Sequence, residues 1–439
     1  MTLLIYLIII ITLLVFVTAR FKFHPFLSLL LAAIAMGFLA GLNSSTIITK
    51  ITEGFGNTLK SIGIIIAFGT IIGAYLEKSG GAKAMAESIL KLIGERKSAL
   101  AMNITGFIVS IPVFCDSGFV ILSTLNKALS KKTGIPLIIL AVALGTGLYA
   151  THVFVPPTPG PLAAAATLNA DIGLVLIMGL LVAIPSALTG LLWARYIGKK
   201  TPVAKIEFKQ ENENINHPSA KMSFAPIVVP ILLIALKSIA EYPTFPFGEG
   251  FLKDLFSFAG NPVIALFVGV ALAFFLKKDG DVKQHFTWVS EGLKNAGVII
   301  LITGAGGAFG NLLRATEIGD TIGSIFSEIN IGILLPFIIA ALLKTAQGSS
   351  TVAIITTAAI IAPLLSSLGL DSETSRALAV LAIGAGAMTV SHINDSYFWV
   401  VTQFSDMNTQ TGLKSHTVAT LLQGLVGIVI IVIISQLVS

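Results

Sequence analysis

The sequence is poor in charge and almost free of cysteine. Only 11% of its 439 residues are Asp, Glu, Lys or Arg, against roughly 25% in an ordinary soluble domain. The single cysteine, Cys115, excludes a disulfide within the chain and a zinc cluster built from cysteines. The composition therefore argues against a soluble globular domain.

The sequence is rich in long runs of apolar residues. Hydrophobic residues make up 55% of the chain, and several runs reach the roughly 17 to 25 residues that cross a bilayer as a helix. The first run is uncharged and lacks a small-residue cleavage site, so we expect a retained helix and not a signal peptide. The net charge of +6 comes from basic residues between the runs, which membrane topology explains better than a nucleic-acid partner. The chain is therefore expected to be an all-α polytopic membrane protein.

The hydrophobic pattern also places the helices. A polar-faced segment at 82–94 predicts an amphipathic helix at the membrane surface. The spanning helices are expected at about 2–19, 25–42, 58–76, 172–195, 224–243, 255–276 and 295–313, with three more that begin near 136, 374 and 416.

Two apolar helices are interrupted by polar or proline-rich segments. Residues 391–396 carry Ser391, His392, Asn394, Asp395 and Ser396 inside an otherwise apolar run. Ionisable side chains at membrane depth cost a few kcal/mol, so they usually face a cavity, a partner or a transport path. An earlier segment echoes this one, because a Gly-x-Gly run and Thr151-His152 precede a break at 152–161 that contains four prolines.

Two further apolar runs break near their middle. Residues 98–129 are interrupted at 111–118, and residues 331–365 are interrupted at 344–350. The arms of the first run are about 14 residues long, too short to cross alone. Each run therefore predicts a re-entrant helical hairpin with a polar tip.

The order of these elements repeats across a polar linker at 196–222, which separates a first repeat at 1–195 from a second at 223–439. Local matches support the duplication, such as Gly73-Ala74 with Gly307-Ala308. Duplicated halves with breaks at corresponding elements are typical of secondary transporters whose site lies at the repeat interface.

The distribution of basic residues predicts the topology. Five crossings and one hairpin in each half make the two repeats inverted. With both termini outside, 21 of the 28 basic residues lie on the cytoplasmic side, and the opposite orientation would reverse that bias. The basic residues then placed outside are Lys50, Lys60, Lys253, Arg314 and Arg376.

The hairpin tips are candidate anion sites. A tip exposes the free N–H groups at the start of a half-helix, which favour an anion, while hydroxyls orient it. The alternative is that Ser349 and Asp116 only cap half-helices. The candidate residues are Asp116, Ser117 and Gly118 at the first tip, Gln347, Gly348, Ser349, Ser350 and Thr351 at the second, and Asn394 at the later break.

Proton coupling is assigned to the later break. A buried carboxyl group can bind and release a proton near neutral pH, and histidine titrates in the same range. Asp395 and His392 are therefore candidate carriers, with Asp116 as the competitor, although Asn394 and Asp395 could also serve only as helix caps. At the earlier break His152 could instead be structural, alongside Pro156, Pro157 and Thr158.

Two cations could neutralise an anionic substrate. Lys344 lies next to the second tip, which favours a functional role. Arg314 lies at an expected helix end, where reaching the membrane interface is the simpler explanation.

Taken together, these motifs resemble the gluconate permease (GntP) family of the ion transporter superfamily, over nearly the whole chain. The matching segments are 54–56, 76–82, 106–120, 152–162, 306–311, 346–353 and 391–396. The resemblance implies proton-coupled uptake of gluconate or a related small hydroxy-acid in the bacterial inner membrane. It also implies inverted repeats with re-entrant hairpins and a homodimer in which a transport domain moves against a scaffold.

The sequence thus predicts a non-enzymatic proton symporter for a small organic anion, without a cofactor or metal. Sodium coupling to an anion such as lactate, glycerate or a dicarboxylate is the close alternative, because hydroxyl, amide and carbonyl oxygens also suit Na⁺. A remote alternative is an intramembrane aspartyl hydrolase that uses Asp116 and Asp395.

Overall fold

The computed structural model describes residues 2–21, 23–200, 218–240, 250–277, 282–316, 332–393 and 395–438. Within these ranges the chain is helical and has no strand. Five of the described helices are long and apolar enough to cross a membrane, or seven if each of two bent pairs forms one span. The expected all-α polytopic class is confirmed at this level.

The first half consists of nine described helices. They are α1 (Thr2–Arg20), α2 (Pro25–Leu39), α3 (Ser44–Lys78), α4 (Gly81–Ile93), α5 (Ser98–Val109), α6 (Cys115–Thr133), α7 (Leu137–Phe154), α8 (Pro159–Leu168) and α9 (Ile172–Lys200).

The second half contains ten described helices. Its described helices are α10 (Ala220–Ala240), α11 (Phe251–Ala259), α12 (Pro262–Phe274), α13 (Val282–Arg314), α14 (Leu334–Gln347), α15 (Ser350–Ile361), α16 (Glu373–Met388), α17 (Ser396–Phe404), α18 (Thr409–Gly412) and α19 (Val418–Val438), with a π-helical turn at Leu413–Thr417 between the last two. Most of the expected linker, residues 201–217, lies outside the described residues.

Two long helices begin earlier than predicted. α3 starts at Ser44 and not near 58, because the Asn43 side chain accepts the Thr46 N–H at 2.8 Å and caps it. α13 starts at Val282 and not near 295. The added turns carry Lys, Glu and Thr, so a search for apolar runs misses them.

These two helices run antiparallel along each other and pack closely at glycines. A Cβ on Gly307 would lie 1.9 Å from the Thr58 hydroxyl, and one on Gly54 would lie 2.5 Å from the Gly307 carbonyl. Asn311 adds a hydrogen bond of 2.9 Å to the Lys50 carbonyl. The absence of side chains at the crossing is what allows the two backbones to approach.

The helix expected at 255–276 is wrong, because two helices occupy that region. α11 and α12 meet at an angle of 66°. Gly260 ends the first helix, the Asn261 side chain accepts the Val263 N–H at 3.0 Å, and Pro262 opens the second helix. Proline at the first helical position lacks only an N–H that would have had no partner there.

The four breaks lie close to the expected positions. Three of them, at residues 110–114, 155–158 and 348–349, are shorter than predicted, whereas the fourth begins earlier than predicted, at Thr389, and ends before Ser396. His152 and Thr151 remain inside the last turn of α7, and Asp116 lies in the first turn of α6. The α7–α8 unit, Leu137–Leu168, is 94% buried over its most apolar stretch, so the first broken helix lies in the protein interior.

Candidate functional site

A buried ion pair joins the second hairpin to the second helix break. The Lys344 ammonium lies 2.6 Å from an Asp395 carboxylate oxygen, and the two side chains are 0% and 4% exposed. Lysine and aspartate are almost never fully buried unless they are paired. Desolvating both charges costs several kcal/mol per ion. The fold therefore buries this pair in spite of an unfavourable desolvation energy.

Lys344 has two further contacts besides Asp395. The ammonium donates to the carbonyl of Gly348 at 2.5 Å and lies 5.9 Å from the centre of the Tyr149 ring. Gly348 ends α14 with a φ of +86°, a conformation that favours glycine. The chain therefore turns back at the second tip, so that the Gly348 carbonyl contacts the ammonium of Lys344.

Asp395 has two roles at once. One carboxylate oxygen accepts from Lys344 and from the Ser391 hydroxyl. The other accepts the Tyr397 N–H at 3.1 Å, which makes Asp395 the N-cap of α17. Capping was one alternative for this residue and is confirmed, but it occurs together with the ion pair.

The second break is held against its neighbours through its backbone. The Ser391 N–H donates to the Thr420 hydroxyl at 3.0 Å, and the Thr417 hydroxyl donates to the Ser391 carbonyl. The half-buried His392 ring places Nε2 3.0 Å from the Thr345 carbonyl. The break is thus bound to the second hairpin on one side and to α19 on the other.

The first tip approaches the same cluster. The Asp116 carboxylate, half-buried in the first turn of α6, lies 3.5 Å from the Ser396 hydroxyl, a long contact. Phe114, not Asp116, occupies the N-cap position, so the capping alternative for Asp116 is wrong. Ser117 is half-buried beside it, and the buried Gly118 packs on Leu148, 2.7 Å from where a Cβ would lie.

The first break contributes aromatic and imidazole rings. His152 is 5% exposed, and its ring stacks on Tyr149 with 6.4 Å between centroids. Its Nδ1 has no hydrogen-bond partner within the described residues, so a bond from that atom to a carbonyl beside the prolines is absent there. Pro156, Pro157 and Thr158 are buried, and the Thr158 hydroxyl donates to the Val155 carbonyl.

The remaining second-tip residues lie around the ion pair. Ser349 is the N-cap of α15 and accepts the Val352 N–H at 3.3 Å, as predicted. Ser350 is buried and Thr351 is half-buried in the first turn of α15. Asn394 and the side chain of Gln347 lie outside the described residues.

Sequence reasoning missed three residues of this cluster. Tyr149, Tyr397 and His416 are all buried, and the Tyr397 ring lies 5.1 Å from Tyr149 and 5.3 Å from His416. Both ring nitrogens of His416 lack a hydrogen-bond partner among the described residues. Tyr149 could have been found, because it precedes His152 by three positions and so shares its helix face.

The chemistry of the cluster suits an anion. Its buried ammonium can pair with a second carboxylate, and the described residues contain no group of three or more His, Cys, Asp or Glu arranged to hold a metal ion. Arg314 is not part of it. That side chain is exposed and donates to the Thr167 carbonyl at 3.1 Å.

Comparison with known proteins identifies close relatives of the chain. A model described as "GntP family permease" matches residues 1–438. An "uncharacterized permease" of Haemophilus influenzae is 38% identical over 90% of this chain and 84% of its own length. A "gluconate permease" of Pseudomonas aeruginosa is 36% identical over 97% and 96%. The "D-serine transporter DsdX" of Escherichia coli is 34% identical over 95% of each chain.

One solved structure shares the fold at low sequence identity. The YdaH transporter of Alcanivorax borkumensis superposes with a TM-score of 0.58 over 90% of both chains, at 16% identity. At that identity the similarity concerns the architecture alone.

Proposed function

The chain belongs to the GntP family of permeases, and from this premise we propose that it imports gluconate or a related small hydroxy-carboxylate by proton symport. It is a multi-pass membrane transporter and not an enzyme, as its relatives are permeases and transporters. The gluconate permease of P. aeruginosa supports the substrate class. The observation that carries the proposal is the buried pair of Lys344 and Asp395.

Lys344 supplies the positive charge for the substrate. In the structure Asp395 is its counter-ion at 2.6 Å. A substrate carboxylate that enters the cluster competes with Asp395 for the ammonium. The free N–H groups at the starts of α6 and α15, with the hydroxyls of Ser117, Ser349, Ser350 and Thr351, would orient the rest of the molecule.

The same exchange couples transport to protons. Two carboxylates around one ammonium leave an uncompensated negative charge in a buried site, which costs several kcal/mol. A proton on the displaced Asp395 removes that charge. One substrate carboxylate then travels with one proton, and the loaded site has the same net charge as the empty one. Asp116 and His392 flank this exchange as further proton-binding groups.

The transporter architecture follows the same proposal. Two inverted repeats, each with a re-entrant hairpin, would place both tips and both breaks at mid-membrane. Movement of this cluster against the α3–α13 pair, in an elevator-type homodimer of the bacterial inner membrane with both termini outside, would alternate access to it. The elements that support this picture are the repeated order of helices and the antiparallel crossing of α3 and α13.

Uptake into proteoliposomes tests the function directly. Purified protein is reconstituted, and labelled gluconate is presented under an inward proton gradient, an inward sodium gradient, or neither. We expect accumulation only with the proton gradient, and counterflow in its absence. Glycerate, lactate and D-serine are added as unlabelled competitors, and gluconate is expected to compete best.

Each alternative has its own outcome in this assay. Accumulation that follows sodium and survives collapse of the proton gradient would replace proton symport by sodium symport. Competition by D-serine above all carboxylates would replace the hydroxy-acid by a zwitterionic amino acid. Absence of uptake for every organic anion would contradict the proposal.

A further inference from the structure

A cavity of about 450 Å³ lies away from the ion pair, between α3, the end of α8 and α13. Its volume is within the roughly 300 to 1,000 Å³ that small-molecule sites occupy. The side chains that line it are mainly polar, and they include Asn57, Thr58, Lys60, Thr167, Asn169, Asn311 and Arg314.

The charge of this cavity has one sign. Lys60 and Arg314 line it, and the described lining contains no acidic residue. Neither side chain pairs with a carboxylate within the described residues. A cleft lined by one sign of charge focuses the field and concentrates ions of the opposite sign.

A third cation strengthens the field. Arg376, near the start of α16, lies close enough to Arg314 for the two charges to repel each other. The Nε of Arg376 is buried and has no hydrogen-bond partner among the described residues. Neighbouring guanidinium groups without a carboxylate are stabilised by an anion that binds between or beside them.

Three elements connect this cavity to the central cluster. Along α3, Lys60 is nine residues from Gly69, about 14 Å at the helical rise, and Gly69 packs on Pro157 in the first break. α8 starts just after that break and reaches the cavity at Thr167. α15 starts at the second tip, and the cavity touches Ala362 at its far end.

We propose that this cavity is a second anion site, an antechamber in which Lys60 and Arg314 hold the substrate carboxylate before it reaches Lys344. The inference rests on the proposed function for the identity of the anion. The predicted topology places Lys60 and Arg314 outside, so the antechamber faces the medium from which substrate is taken up. The amide side chains of Asn57, Asn169 and Asn311 suit the hydroxyl groups of a sugar acid.

Protection of an introduced cysteine measures occupancy of the cavity. Asn57→Cys is placed on the cavity wall in a Cys115→Ala background, and alkylation by a charged maleimide is followed in purified protein. We expect gluconate to slow alkylation at least fivefold, whereas glucose and an equal ionic strength of chloride do not. Lys60→Gln with Arg314→Gln should raise the half-protecting gluconate concentration at least tenfold.

Two further variants separate the cavity from the rest of the molecule. Lys50→Gln removes the same charge from α3 outside the cavity lining, and half-protection should stay within twofold. Lys344→Gln combined with Asp395→Asn removes the central ion pair without leaving a buried charge unpaired, and protection should persist because the cavity binds on its own. Both cavity cations are exposed, so the double variant should fold, and Lys60→Arg with Arg314→Lys should restore protection.

The outcomes distinguish this inference from the proposed function. The antechamber would be overturned if the protein transported gluconate normally but gluconate did not slow alkylation at position 57. It would also be overturned if Lys60→Gln with Arg314→Gln left the half-protecting concentration unchanged. Either result would leave the proposed transport function intact. Protection that disappears in the folded double variant Lys344→Gln with Asp395→Asn would also overturn the antechamber, since the effect would then arise from the central cluster. Protection without any transport would retain the anion site and contradict the proposed function.

Discussion

The Tyr397 hydroxyl donates to the Gly145 carbonyl at 2.8 Å, which ties the helix after the second break to the helix before the first. Tyr397 is 2% exposed, and its ring lies between Tyr149 and His416. This hydrogen bond joins the two broken helices directly, although its two residues are 252 positions apart in the sequence. The ion pair forms beside this junction, because Asp395 caps the helix that carries Tyr397.

Removing the Tyr397 hydroxyl tests how much its hydrogen bond between the two broken helices contributes to stability. Tyr397→Phe keeps the ring and deletes one buried hydrogen bond, so the free energy of unfolding should fall by about 1 kcal/mol. Denaturation of the purified protein followed by tryptophan fluorescence measures it. Tyr6→Phe, on the partly exposed α1, is the matched control and should change stability much less. Equal losses of unfolding free energy in the two variants would contradict a stabilising role for the hydrogen bond between Tyr397 and Gly145.

The ion pair makes a prediction about paired substitutions. Lys344→Met leaves Asp395 buried without its counter-ion and should destabilise the protein by about 3 to 5 kcal/mol. The double variant Lys344→Met with Asp395→Asn should recover most of that loss and still fail to transport. Lys78→Gln, which breaks a half-exposed pair of 3.1 Å with Glu291, should cost under about 1 kcal/mol. A double variant no more stable than Lys344→Met would argue against direct coupling of the two residues.

Coupling predicts an unusual phenotype for Asp395→Asn. The amide retains the cap on α17 and cannot take up a proton, while the substrate carboxylate becomes the sole anionic partner for Lys344. We expect counterflow of gluconate to continue without pH dependence, accumulation under a proton gradient to be lost, and gluconate to stabilise this variant more than the wild type. Wild-type pH dependence in Asp395→Asn would move the coupling role to Asp116 or His392.

The crossing of α3 and α13 depends on glycine. A Cβ on Gly307 would meet the Thr58 hydroxyl at 1.9 Å and the Gly54 carbonyl at 2.8 Å. Gly307→Ala should therefore separate the helices and lower stability by about 1 to 3 kcal/mol. Gly56→Ala, on the same helix pair, meets nothing within 4 Å and should be neutral or stabilising by up to about 1 kcal/mol. Thermal unfolding of both variants compares them, and similar effects would contradict a packing role for Gly307.

Much of the secondary structure could be predicted from the sequence, wherever neighbouring residues determine it. The prolines at 156–161, the Gly348-Ser349 pair and the polar run at 391–396 interrupt helices wherever they occur, and the breaks lie close to them. The errors have the same local origin. Asn43 and the Asn261-Pro262 pair are capping signals that apolar-run counting ignores, and the early turns of α3 and α13 are too polar to register as membrane spans.

The site was only partly predictable. Asp395 and Lys344 were both identified, one as a proton carrier and the other as a substrate cation, but 51 positions separate them and no spacing rule joins them. Tyr149, Tyr397 and His416 are indistinguishable in sequence from ordinary core residues. Arg314 was expected to reach the membrane interface from a helix end, and no signal in the sequence indicated that it also lines a cavity to which α3 and α8 contribute.

The sequence by itself therefore determined the membrane class, most of the helices and the approximate positions of their breaks, because hydrophobicity, proline, glycine and capping act over a few neighbouring residues. The tertiary structure alone decided which breaks meet. Lys344 becomes the partner of Asp395, and Lys60 becomes the neighbour of Arg314, only when helices distant in sequence pack together. The charges of Lys344 and Asp395, which that packing buries, interact strongly because water no longer screens them.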